Sequence, residues 1–182
     1  LRENIVKRYV VKKAEDFCTV EEVEQHEVGS FDNVIMNPPY SMTFDDADNV
    51  DFYGMKVPKS KADYGFILNG LKHLSEGGRL IAILPHGCLF RGQTEAEIRK
   101  WLVEHRLVNA VIGLPINMFL NTGIPVFILV LQKGSENTLI INADRDCYKS
   151  GKINRMKPEQ IQKVIAAFQN RSEFERYSRN VQ

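Results

Sequence analysis

The chain has 182 residues, with 24 Lys and Arg against 23 Asp and Glu and a formal net charge of +1. That length suits one domain, and 43% hydrophobic residues can fill its core. A balance so close to zero excludes recognition of a polyanion by overall charge and leaves that task to local patches or to another subunit.

Val6 to Lys13 is a candidate strand, and Thr19 with Glu22 a candidate capping box for a short acidic helix. Phe31 to Met36 is a short apolar run ending at Pro38 and Pro39, which predicts a buried strand entering a rigid loop. Residues 41–61 are polar and Asp-rich, as in a long loop. Ser60 and Asp63 offer a capping-box start, followed by Tyr64, Ile67, Leu68, Leu71 and Leu74 at helical spacing; Gly77 and Gly78 should stop that helix. Its expected partners on the sheet are Ile81, Ile83, Ile112 and Ile128. Arg79 to Leu84 reads as a second strand. Thr94 and Glu97 suggest another capping box, for a helix with Ile98, Trp101, Leu102 and His105 on one side. Leu107 to Leu114 and Val126 to Leu131 read as strands too close in sequence for a helical crossover, so an antiparallel pair is expected. Val126 to Leu131 has almost no polar residue, which predicts cover on both faces. Leu139 to Asn142 is a possible edge strand. Pro158 opens a last helix to about Gln169, with a frayed tail after it. Strand, helix, strand, helix, strand is the alternation of an α/β layered domain.

Nothing in the chain reads as a signal peptide or membrane span. Cys18, Cys88 and Cys147 show no paired spacing and read as reduced thiols of a cytoplasmic protein. His26, His73, His86 and His105 are scattered and no CxxC is present, so no metal site is expected.

The chemistry gathers at Asn37-Pro38-Pro39-Tyr40, directly after the first apolar strand. An exocyclic amine on an aromatic base is a poor nucleophile because its lone pair is delocalised into the ring. Two acceptors aimed at its two N–H groups favour a pyramidal, reactive nitrogen. The Asn37 side-chain oxygen and the Pro38 carbonyl can supply them, and the prolines fix that geometry in advance. Tyr40 can stack on the base, which must first leave the duplex. Asn-Pro and Pro-Pro are also common loop dipeptides, so the tetrapeptide alone reads equally well as a strand-ending turn. Its place at the carboxyl end of an α/β strand favours the functional reading.

Further pieces follow in order: Gly77-Gly78-Arg79, Ile83-Leu84-Pro85, Leu89-Phe90-Arg91-Gly92, Glu95-Ala96-Glu97-Ile98-Arg99, Val111-Ile112-Gly113-Leu114-Pro115, Asn117-Met118-Phe119, Thr122-Gly123-Ile124-Pro125 and Ile128-Leu129-Val130-Leu131. With Phe31-Asp32 and the tetrapeptide, this series resembles the M subunits of type I restriction-modification enzymes. The resemblance implies a class I Rossmann-like methyltransferase fold, S-adenosylmethionine as methyl donor and adenine N6 in DNA as acceptor. It implies DNA reading through a specificity subunit, with a restriction subunit in the full complex. Asn37, Pro38, Pro39 and Tyr40 map onto the catalytic motif, and Phe119 onto the loop that places an aromatic against the flipped base. A hairpin-anchoring role for Phe119 carries equal weight. Arg91 and Arg99 could meet phosphates, though solvated helix-face charges are the stronger reading.

The family's cofactor site lies upstream of this motif, in a glycine-containing strand-to-helix turn and an acidic residue after the next strand. Leu1 to Ser30 hold one glycine, Gly29, so the expectation is the second half of the sheet with its antiparallel hairpin and an incomplete cofactor site. The expected division is an amino-terminal segment at 1–30, a catalytic half-domain at 31–145 and a carboxyl-terminal helical tail at 146–182. Turnover by the chain alone is not expected. The strand Phe31 to Met36 should then have an open edge, covered by Val6 to Lys13 or by self-association. Alternatives are a non-catalytic assembly module, or the same turn acting on cytosine N4 or protein glutamine.

Overall fold

The computed structural model describes residues 9–11, 31–43, 53–120 and 122–182. A seven-stranded sheet runs in the order β1-β2-β3-β5-β4-β6-β9, and β7 with β8 forms a separate hairpin. Its strands are β1 (Tyr9–Val11), β2 (Phe31–Met36), β3 (Leu74–Pro85), β4 (Val108–Gly113), β5 (Val126–Gln132), β6 (Thr138–Asn142) and β9 (Ser178–Val181); the hairpin joins Tyr148–Ser150 to Ile153–Arg155. The helices are α1 (Asp63–Lys72), α2 (Gly87–Phe90), α3 (Thr94–Glu104) and α4 (Pro158–Asn170). β1, β2 and β3 are mutually parallel. β5 enters antiparallel between β3 and β4, as the short 114–125 connection requires.

β1 pairs with β2 from Tyr9 opposite Asn33 to Val11 opposite Ile35, so part of the expected cover strand lies along that edge. The Thr19 and Glu22 capping box lies outside the described residues.

Alternate residues of the strands face opposite layers. One core joins Val34 and Met36 of β2, Leu80, Ala82 and Leu84 of β3, and Phe127, Leu129 and Leu131 of β5 with α1, α2 and α3. The other joins Ala110, Ile112, Val130, Leu139 and Ile141 with α4. β5 is apolar on both faces because both are covered. The partners expected for α1 are therefore on the wrong side: Ile81, Ile112 and Ile128 belong to the α4 layer. Both faces of these strands are apolar, so hydrophobicity does not say which face a given helix takes.

Helix α1 is buried all around, from Asp63 to Leu71, between the sheet and the loop carrying Met42, Met55 and Val57. Gly70 lets it approach the end of β2, since a β-carbon there would come within 2.5 Å of Met36 Cε and 2.8 Å of Leu80 Cδ1. Neither capping box expected for α1 and α3 forms. Ala62 precedes α1, and its N–H donates to Met42 O at 2.9 Å. Gln93, at φ 53°, precedes α3, so Thr94 is already helical. Gly77 and Gly78 do not end α1, which stops at Lys72. They sit instead in an irregular stretch of β3 where Phe31 pairs with Leu74 but Asn33 with Arg79, and Gly77 takes φ 76°. At the carboxyl end, α4 opens on Pro158 as expected, and Gln160 accepts the Lys157 N–H at 2.8 Å. The expected edge strand β6 is interior, because the tail does not fray: β9 pairs with it from Thr138 opposite Val181 to Ile141 opposite Ser178. Residues 146–182 thus hold three strands besides the expected helix.

Candidate active site

β2 ends at Met36, whose side chain is held in the core, and the next four residues emerge at the carboxyl edge of the parallel strands. Asn37 is exposed, Pro38 is buried, and Pro39 and Tyr40 are half-buried. The buried ring of Pro38 anchors the turn while Asn37 faces outward. The Tyr40 hydroxyl donates to Asn37 Oδ1 at 2.9 Å. An amide oxygen has two lone pairs, so this bond orients Asn37 and leaves one acceptor position for another donor. Burial first, and the Asp63 charge second, raise the Tyr40 phenol above its ordinary range, which keeps it neutral.

Phe119 comes from the loop between β4 and β5. It is half-buried, bridges to Thr122, and meets Tyr40 edge-to-face with ring centroids 6.4 Å apart. That loop is braced by the β7–β8 hairpin, where Asn154 donates to Asn117 O and to Ile116 O, both at 2.8 Å. The consecutive residues Asn37 to Tyr40 and the distant Phe119 thus meet at one edge of the sheet, through the Tyr40–Phe119 contact.

Arg91 and Arg99 do not face solvent as free charges. Arg91 Nη2 lies 2.7 Å from Asp63 Oδ2, 2.8 Å from Glu95 Oε1 and 3.3 Å from Cys88 Sγ. Arg99 donates to Cys88 O at 3.0 Å and to Arg91 O at 2.6 Å, and the Tyr64 hydroxyl donates to Cys88 O at 2.8 Å. Asp63, Cys88 and Glu95 are all buried, with candidate metal-ligating atoms within 4.8 Å of one another. The Arg91 guanidinium, a permanent cation, already sits among them and forms ion pairs with both carboxylates. Sequence reasoning missed Asp63, which was read as a cap, and Glu95. The available signal was the Arg91 and Glu95 pair at i,i+4.

Burial, and then the Asp63 charge, push the Cys88 thiol from its ordinary 9.0 up to about 12. The native state therefore favours the neutral thiol. Its contribution to stability is complete below about pH 9 and is lost as pH rises toward 12. Thiolate is the reactive form, so at neutral pH an alkylating reagent should modify the half-buried Cys147 and spare Cys88 until the chain is unfolded. Mass spectrometry after timed labelling checks this, and equal rates for the two thiols would contradict it. Cys18 lies outside the described residues.

A mostly parallel sheet with an antiparallel strand inserted between two parallel ones, here β5 between β3 and β4, is the arrangement of the class I Rossmann-like methyltransferase fold. A structure from Listeria monocytogenes assigned to the class I S-adenosylmethionine-dependent methyltransferases superposes with a TM-score of 0.58 at 22% identity, over 82% of this chain and 45% of that one. The chain belongs to the N-6 DNA Methylase family, whose profile matches residues 4–182. The MpnII type I restriction enzyme methylase subunit of Mycoplasma pneumoniae is 34% identical over 183 residues, 92% of this chain and 34% of that protein. The type I restriction-modification system methyltransferase subunit of Streptococcus thermophilus has a TM-score of 0.80 at 36% identity, covering 86% of this chain and 35% of that one. The chain spans about a third of the length of these two relatives. Among the described residues, no helix is long and apolar enough to cross a membrane.

Proposed function

We propose that this chain carries the target-base side of a DNA methyltransferase acting on adenine N6, as part of a cytoplasmic type I restriction-modification complex. The observation that carries this reading is the turn itself. Asn37 Oδ1 and the Pro38 carbonyl stand at the carboxyl end of β2, beside the Tyr40 and Phe119 rings at 6.4 Å. The two oxygens accept the two N–H bonds of the exocyclic amine and free its lone pair for attack. The rings hold the flipped base by stacking and edge contact. We read residues 31–145 as the catalytic half-domain, with 146–182 packed on it through α4 and β9.

S-adenosylmethionine supplies an electrophilic methyl group to this family's reaction. The residues of the turn suit the amine rather than that cofactor. Asn37, Pro38 and Tyr40 offer neutral acceptors and a ring, while Asp63, a carboxylate close to the turn, is already bound to Ser41 and Arg91. We therefore place the cofactor against residues other than these. The same turn could serve cytosine N4 or a protein glutamine, but membership of the N-6 DNA Methylase family favours adenine. The test is methyl incorporation into DNA by the reconstituted methylase, followed by nucleoside analysis. N6-methyladenine supports the reading, and N4-methylcytosine or no DNA product overturns it.

Sequence reading is assigned to a specificity subunit and cleavage to a restriction subunit. Arg91 and Arg99 are engaged internally, and the formal charge is +1. The chain by itself should accordingly bind DNA weakly, without sequence preference, and lose that binding steeply as salt rises. Titration of a fluorescent duplex at two ionic strengths measures this. A salt-resistant, sequence-specific complex of the chain alone would remove the need for a separate reading subunit.

A further inference from the structure

We propose that Asp63 is the positioning residue of the Asn37 to Tyr40 turn, anchored for that purpose by the Arg91 and Glu95 ion pairs; this rests on the catalytic reading of the turn given above. Immediately after Tyr40 the chain reverses at Ser41, which takes φ 54°. That is the left-handed region, where a side chain bearing a β-carbon is strained and persists only when its surroundings hold it. Two hydrogen bonds do so. The Ser41 N–H donates to Asp63 Oδ1 at 3.0 Å, and the Ala62 N–H donates to Met42 O at 2.9 Å. Together they tie residues 41 and 42 to the amino end of α1.

Asp63 is 0% exposed and Glu95 2%. A carboxylate so enclosed needs a countercharge. Arg91 gives one nitrogen to Asp63 Oδ2 at 2.7 Å and two to Glu95, at 2.5 and 2.8 Å. Arg91 is itself fixed by Arg99, which donates to its carbonyl. The chain of contacts therefore runs from α3 through Arg91, at the end of α2, and the start of α1 to the residue behind Tyr40. The Asp63 charge also reaches Tyr40, whose phenol it raises. An apolar cluster could stabilise this junction equally well. What an apolar cluster cannot supply is an acceptor aimed at the Ser41 N–H, and that bond sets the direction in which the turn leaves β2.

The experiment uses the full-length methylase assembled with its DNA-reading partner. Asp63→Leu, which removes the acceptor for the Ser41 N–H, should lower kcat about 100-fold, on the scale of losing a preorganised contact, and leave KM for DNA nearly unchanged. Adding Ser41→Gly should restore about tenfold of that loss, because glycine takes a positive φ without the clamp. Should Asp63→Leu fail to fold, Asp63→Glu carries the test. It keeps the charge facing Arg91 but cannot keep the Ser41 distance in a filled site, so the same fall in kcat is expected. Parental kcat in the folded Asp63 variant, alongside an inactive Asn37→Ala, overturns the positioning role and leaves the catalytic reading standing. Parental kcat in Asn37→Ala overturns the catalytic reading itself. A loss that merely tracks the folded fraction in thermal unfolding, with no rescue by Ser41→Gly, makes Asp63 a scaffold residue and also overturns the proposal.

Discussion

Replacing Asn37 by alanine is expected to lower methyl transfer about 100-fold or more in the reconstituted enzyme while leaving the fold and DNA binding intact. Asn37 is exposed, and its side-chain bond in the fold is the one accepted from the Tyr40 hydroxyl. Truncation therefore opens no core cavity, and Pro38 still anchors the turn. What disappears is one of two acceptors for the amine, and with it the orientation that Tyr40 gives that acceptor. The remaining Pro38 carbonyl can hold one N–H, which does not suffice to pull the lone pair out of conjugation. Single-turnover methyl incorporation isolates this step from product release, and a fluorescent duplex reports binding separately. A variant that transfers methyl groups at the parental rate removes Asn37 from the chemistry.

Arg91→Met is expected to destabilise the chain by about 3–5 kcal/mol, the scale for removing one partner of a buried ion pair. Two carboxylates, Asp63 at 0% and Glu95 at 2% exposure, would lose their shared cation. Native domains are held by only about 5–15 kcal/mol, so this is a large share of the whole. The control is the triple replacement Asp63→Leu, Arg91→Met and Glu95→Leu. It removes all the charges together and should recover most of the loss, since apolar substitutes for buried ion pairs are often neutral or stabilising. Denaturant unfolding of the three proteins decides the matter. A loss below about 1 kcal/mol in Arg91→Met would mean that water reaches both carboxylates.

Positions whose chemistry is local were legible in the sequence. The run Phe31 to Met36 before two prolines became β2 and its turn, and Pro158 opened α4. The 114–125 connection, too short for a helix, became an antiparallel join. The errors have one physical origin. Ser60, Asp63, Thr94 and Glu97 have the right types at the right spacing for capping boxes. Local patterns do not reveal that a half-buried arginine claims Asp63, or that the chain is already helical at Thr94. Strands apolar on both faces carry no parity signal, so α1 was assigned to Ile81 and Ile112 when it packs on Leu80 and Leu84.

The sequence by itself determined the layered α/β class, the Asn37 to Tyr40 turn at the end of a strand and, through an ordered series of motifs, the methylase family. Each depends on contacts within a few residues or on patterns that repeat along the chain. Only the tertiary structure decided which residues stand behind that turn. Tyr40 and Phe119 meet because β5 returns antiparallel between β3 and β4, bringing the 114–125 loop to the carboxyl edge of β2. Asp63, Arg91 and Glu95 meet because α1 and α3 share one face of the sheet. Burial then turned charges that a sequence reads as solvated into a single ion-paired cluster, since an enclosed carboxylate is stable only beside a cation.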